Sequence, residues 1–208
     1  MRKTNAGISG KERTRVAVLG TLAEFHREPI LYDMEALLEL VERIGPDLLC
    51  LDMTQEQWQK RSFGDLPPEY QEALLPLARQ TDIVVVPIGG GYAPSKPQAS
   101  GWRGRAIEWL RRRIGSIQRA APGPDAVNQG WRHHSANLLY SATWRLAGSN
   151  TERATRKHTN HLSEEVLKVA RRDPDARVLV VVNVQYCHVI REQLRTHDDV
   201  EVTTYTDL

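Results

Sequence analysis

The chain has 208 residues, 40% of them hydrophobic, and a formal net charge of +2. That length and apolar content can bury a substantial core as one domain, or as one domain carrying an insertion. So balanced a charge excludes a global field that draws in nucleic acid or membrane, and any such partner must be met by a local patch.

Cys50 and Cys187 lie in or beside apolar runs without metal-ligand spacing, the pattern of reduced, buried thiols rather than of a disulfide framework. The first residues are basic but have no apolar core, and no run of about 18 apolar residues occurs anywhere. The expectation is a cytoplasmic protein without a transmembrane segment. A flexible tail covers residues 1–13, and one α/β domain covers 14–208.

In chain order, RVAVLG (15–20) is a first strand ending at a glycine. Met34, Leu37, Leu38 and Val41 recur at helical spacing until Gly45-Pro46 stops the helix. DLLCLDM (47–53) is a second strand whose unbroken apolar run predicts burial on both faces. PPEYQEALLPLARQ (67–80) is helical in spite of Pro76, and DIVVVPIGGG (82–91) is a third buried strand. Strands alternating with helices predict a mostly parallel central sheet flanked by helices.

The alternation breaks at about 92–150, which predicts an inserted helical layer. Loop-like stretches over 92–101 and 120–130 precede WRGRAIEWLRRRIGSIQ and WRHHSANLLYSATWRLAG in turn, both helical in pattern. A long helix over about 151–172 returns the chain to the sheet. The strand ARVLVVVN (176–183), a helix opening at His188 after a Tyr-Cys-His turn, and a last strand from Val200 complete the fold.

Open α/β sheets bind ligands at the carboxyl ends of their strands, where loops and helix N-termini converge. The polar residues falling there are Glu24 and His26 after the first strand, Asp52 at the end of the second, Gly89 to Gly91 after the third, and Tyr186 and His188 after the fourth. Glu24, His26, Asp52 and His188 form the candidate catalytic set. Of these, His188, His26 and Asp52 are candidate ligands for a divalent metal ion with a position left for water. Without a metal, one imidazole would be a general base oriented by a carboxylate. The bland counterparts are local capping for His188 and Asp52 and plain surface for His26.

The triple glycine has neither a dinucleotide fingerprint nor a phosphate-loop lysine. His158, His161 and Glu165 can share a helix face, but beside the stripe Leu162, Val166 and Val169 they read as a solvated boundary. His133 and His134 diverge by about 100° on a helix and do not share an ion easily. No G-x-S-x-G elbow is present, and Cys187 beside His188 is not a dyad, which disfavours covalent catalysis.

Residues 102–119 hold six arginines against Glu108, a local charge of +5, with Ile107, Leu110, Ile114 and Ile117 on one face. Arg103, Arg105, Arg111, Arg112 and Arg113 are thus the candidate contact for an anionic partner: phosphates, anionic lipid or a protein. The bland reading is an amphipathic helix whose arginines pair internally.

VLGTLAEFH, LLELVERIGPDLLCLDMTQEQW and VLVVVNVQYCHV together resemble the superfamily that joins TraB-type proteins, Tiki-type proteases, erythromycin esterases and ChaN haem-binding lipoproteins. That family shows a Gly-Thr-x-His turn after its first strand, a strand ending in Glu with a following Arg, and a Gly-x-x-His turn before a helix. Here Gly20 and Thr21 match, Ala23 stands at the first histidine, Asp52 at the Glu, Gln57 at the Arg, and His188 at the second histidine. Arg156 is the counterpart of an arginine the family uses in the preceding helix. The resemblance implies an α/β hydrolase, metal-assisted or histidine-based, acting on a small-molecule or peptide substrate. The alternative is a non-catalytic interaction module, or a carrier of haem or another small ligand, built on the arginine-rich insertion. Either form could be a homo-oligomer.

Overall fold

The apolar runs of the sequence become the middle of one sheet. Its strands are β1 (Thr14–Thr21), β2 (Leu48–Thr54), β3 (Val84–Gly89), β4 (Arg177–Asn183) and β5 (Val200–Thr203). Their order is β3-β2-β4-β1-β5, and every pair is parallel. The computed structural model describes residues 13–91, 94 and 96–208, so the tail expected over 1–13 lies outside the described residues except for Arg13. Val16 to Leu19, Leu49 to Leu51 and Val178 to Val182 are almost wholly buried, as strands covered on both faces must be. The α/β class read from the alternation of strands and helices is the class observed.

The strand order creates the place for a site. The chain leaves β1 toward β2 by crossing over β4, and leaves β4 toward β5 by crossing over β1. Adjacent strands β1 and β4 therefore send their crossovers in opposite senses, which parts the chain above their carboxyl ends and opens a crevice. In the register of that pair Thr21 stands beside Asn183, so these two residues mark the crevice floor.

The first crossover carries α1 (Met34–Ile44), started by Asp33 accepting a bond from the Ala36 amide and stopped at left-handed Gly45. After β2 come α2 (Gln55–Lys60), a π-helical turn (Tyr70–Leu74) and α3 (Leu75–Gln80). The helix expected unbroken over 67–80 is divided because Pro76, in the first turn of α3, cannot donate an amide hydrogen to the preceding turn. Between β3 and β4 run α4 (Gly101–Arg119), α5 (Pro124–Asn128), α6 (Gly130–Ala147) and α7 (Ser149–Arg172). The last crossover is α8 (Val184–Leu194), which follows β4 without a turn. The Asn183 side chain accepts from the Gln185 amide and starts α8 four residues before His188, where the sequence pattern had opened it.

β5 pairs with β1 only as far as Ala17, so the backbone of β1 beyond it faces no strand on that side. Three side chains satisfy it, among them Tyr32, whose hydroxyl donates to the Gly20 carbonyl at 3.3 Å. Arg191 of α8 donates to the Val18 carbonyl at 3.0 Å and to the Asn128 carbonyl at 3.3 Å. Asn128, wholly buried, accepts from the Gly20 amide at 2.6 Å and donates to the Gly20 carbonyl at 3.1 Å. This reciprocal pair imitates a strand neighbour and pins α5 to the sheet. Gly20 must lack a side chain here, because a Cβ would stand 2.9 Å from the Asn128 amide oxygen and 2.9 Å from the Val184 backbone.

Asn128→Ala is expected to lower stability by about 1–3 kcal/mol for the buried amide it leaves unpaired. Gly20→Ala is expected to cost about as much through overpacking. Urea unfolding of the two variants tests this, and unchanged midpoints for both would show that β1 needs no such closure.

Candidate functional site

Asp52 sits where the pairing of β2 with β4 has just ended at Leu51. Its amide donates to the Tyr70 hydroxyl at 3.3 Å, and that hydroxyl donates to the Val181 carbonyl at 2.6 Å. Tyr70 is fully buried and thereby bridges β2 and β4 where they diverge. The Asp52 carboxylate accepts a hydrogen bond from Nε2 of His158, on α7, at 2.9 Å. The side chains are 24% and 3% exposed, so the pair is a largely buried acid–imidazole unit.

A carboxylate accepts and an imidazole N–H donates, so the hydrogen bond places a proton on Nε2, and in the neutral ring Nδ1 then carries the lone pair. Nδ1 of His158 is buried and has no hydrogen-bond partner among the described residues. Buried polar atoms are nearly always paired, which makes this atom an open acceptor of the kind found in reactive sites. The imidazole meets the Tyr186 ring edge-on, with centroids 5.0 Å apart. Burial first, and the Asp52 charge second, push the Tyr186 phenol above its ordinary range.

The glycines after β3 fit this packing. A Cβ on Gly89 would lie 2.8 Å from the Met53 backbone and 2.9 Å from the Asp52 carboxylate, and one on Gly90 would lie 2.6 Å from the His161 ring. They let β3 close tightly on Asp52 and His161.

Tyr186 also lines a cavity of about 410 Å³ above the crevice between β1 and β4. Its floor includes Leu22, Asn183 and Gln185, and its roof is α4 through Arg111, Ile114 and Gln118. Tyr140 closes one side, its hydroxyl accepting from Gln118 Nε2 at 2.7 Å, and it stacks on Trp144, which stacks on Tyr186. Lys96 and Arg111 are the charged residues of the described lining, and no carboxylate is among them. Arg111 donates to the Pro97 carbonyl at 2.8 Å, holding Pro97 against the roof. The N-terminal residues of α8, Val184 to Tyr186, add a partial positive charge at the floor. The cavity is thus a small, partly apolar chamber biased toward an anion.

The four residues expected to share a site do not meet. Asp52 alone lies in the unit just described. Glu24, in a 3-10 turn over Ala23–Arg27, has its side chain 71% exposed and pairs with Arg27. His26 is turned into the core, where Nε2 accepts from the Leu22 amide and Nδ1 donates to the Tyr32 carbonyl, both at 2.9 Å. With both nitrogens bonded to backbone it shapes the turn and has none left for a metal or a proton relay.

His188 fails to reach the rim because the early start of α8 raises it one turn, where its ring meets His133 and His134 at centroid distances of 5.9 and 6.4 Å. There it lines a separate cavity of about 280 Å³ with Arg191 and Arg195. Burial lowers its basicity. The metal centre expected of His188, His26 and Asp52 therefore does not fit these positions, and among the described residues no group of three His, Cys, Asp or Glu side chains can hold an ion. Cys187 and Cys50 are free and buried, their thiols pushed up to about 11 and about 12 by burial, and unsuited to nucleophilic attack.

His158 does not lie on a solvated boundary, where its pattern in the sequence placed it. It lies four residues before Leu162, in line with Val166 and Val169, so it extends the buried stripe rather than a solvated boundary. Of its companions, Glu165 turns outward to Lys168 at 2.6 Å. Glu69 was not singled out at all. It is 1% exposed beside Thr21, its Oε2 has no partner among the described residues, and burial raises its carboxyl above the ordinary range. Compared with protein-family models, curated proteins and solved structures, the chain matches none.

Burial pushes the His26 and His133 imidazoles from 6.5 down to about 4, outweighing the backbone hydrogen bonds to Tyr32 and Val127 that raise them. Unfolded histidines titrate near 6.5, so the unfolded state binds more protons below that pH. The stabilisation is complete above pH 6.5 and is lost as pH falls toward 4, by about 2–3 kcal/mol for each residue at pH 4.5. Denaturant unfolding at pH 7 and 4.5, with NMR titration of the two rings, is expected to show this fall. Rings that titrate near 6.5 in the folded protein would contradict it.

Proposed function

We propose that the protein is a hydrolase that cleaves a small anionic ester or amide held beneath α4. This is the activity implied by the resemblance to the TraB, Tiki, erythromycin esterase and ChaN superfamily, assigned here to other residues. The observation that carries it is the buried, unpartnered Nδ1 of His158, whose ring Asp52 fixes from the far side and whose neighbour Tyr186 is a wall of the anion-biased cavity.

In this reading Lys96 and Arg111 bind the anionic end of the substrate, and Tyr140 and Tyr186, each stacked on Trp144, flank its apolar part. The reading requires a water to enter beside Tyr186 and reach Nδ1 of His158, which takes a proton from it and returns that proton to the leaving group. Asp52 keeps the imidazole in the Nε2–H form and stabilises the charge it gains. No step passes through a metal ion, since the ligands expected for one stand apart.

A second reading has its own support. His158 is nearly inaccessible and does not line the cavity. That arrangement suits a binding module that retains an anionic small molecule without turning it over. Haem suits the chamber less well, because its described lining offers tyrosines but no histidine, cysteine or methionine.

A panel of anionic esters and peptides separates the readings. Turnover is expected for at least one compound, falling about 10²–10⁴-fold in His158→Gln and in Asp52→Asn, while Arg111→Gln chiefly raises KM. Tight binding by calorimetry with no turnover would select the binding module. Turnover unaffected by His158→Gln would remove the dyad from the chemistry.

A further inference from the structure

α4 has a second face that the cavity does not use. Ile107, Leu110, Ile114 and Gln118 turn inward. On the opposite side Trp102, Arg105, Trp109, Arg112 and Arg113 are all exposed, the tryptophans by 64% and 51%. At helical pitch these five fall within roughly 100° of arc, and Glu108 lies at its border. Arg113 stacks over Trp109 and Arg103 over Trp102, at 5.5 and 5.8 Å from the ring centroids. Among the described residues no carboxylate pairs with Arg103, Arg105, Arg112 or Arg113, whereas Arg119, further along, is neutralised by Glu28 at 2.6 Å.

We infer that this face docks the protein on the surface of an anionic lipid bilayer. Uncompensated arginines match a negatively charged headgroup layer, each contributing about 1 kcal/mol near such a surface. Indole rings, apolar in body with one polar N–H, suit the boundary between headgroups and acyl chains. The shape favours a planar partner: single-stranded nucleic acid is tracked along a basic groove, and this is the convex ridge of a helix with tryptophans two turns apart. Among the described residues no helix is long and apolar enough to cross a membrane, so the contact is peripheral. The inference is independent of hydrolysis, because its residues point away from the cavity that Arg111 and Ile114 roof.

The full chain is mixed with vesicles of phosphatidylcholine alone, with vesicles containing phosphatidylserine, and with a single-stranded oligonucleotide. Sedimentation and tryptophan emission are then read. The expected result is partition onto the phosphatidylserine vesicles only, with a blue shift, reversed by high salt. R105E/R112E/R113E is expected to weaken partition about a hundredfold or more, by about fivefold for each charge near the surface. W102A/W109A is expected to abolish most of the blue shift. All five side chains are exposed, and circular dichroism confirms that the variants fold. Equal partition of the charge-reversed variant, no partition of the parent chain, or tighter binding to the oligonucleotide than to the vesicles would each overturn the inference.

Discussion

An all-parallel sheet has a structural debt at its carboxyl rim: strands end at different heights, and backbone groups past the last shared rung have no neighbour. In this protein side chains from distant segments supply the missing partners. Asn128, Arg191 and Tyr32 serve β1 and the Tyr70 hydroxyl spans β2 and β4, while beside them His158 binds the side-chain carboxylate of Asp52 across 106 residues of sequence. All but Tyr32 tie a helix to the rim. Because β1 and β4 part in opposite directions at the same level, the closure surrounds a crevice instead of filling it.

The closure also explains the division of labour among the histidines. His26 and His133 have both ring nitrogens engaged in hydrogen bonds and are held uncharged by burial. Among the described residues, His158 alone combines a carboxylate on one nitrogen with a buried second nitrogen that has no partner. That difference in partners sets His158 apart from the other two where exposure does not, since all three are almost equally buried.

The sheet and its flanking helices were legible in the sequence because unbroken apolar strands and amphipathic helices carry strong periodic signals. Asp52 was legible too, as the polar residue ending a buried strand. The rest of the site was not, because it depends on contacts between segments far apart in the chain. His188 was misplaced by one helical turn: the Tyr-Cys-His turn does not form when Asn183 caps a helix directly on the end of β4. His26 looked like surface in a polar loop, yet the backbone amide of Leu22 and carbonyl of Tyr32 draw it inward. His158 did leave a trace, since its spacing from Leu162, Val166 and Val169 places it on the buried stripe. Only the position of β2 makes that stripe end at a carboxylate.

The coupling of His158 to Asp52 is the central claim, and the tautomer of the imidazole reports it directly. Long-range ¹⁵N–¹H NMR of the His158 ring at neutral pH is expected to show the proton on Nε2, with the Nε2–H signal displaced when Asp52 is replaced by Asn. A ring protonated on Nδ1, or one averaging between both forms and indifferent to Asp52→Asn, would contradict the account.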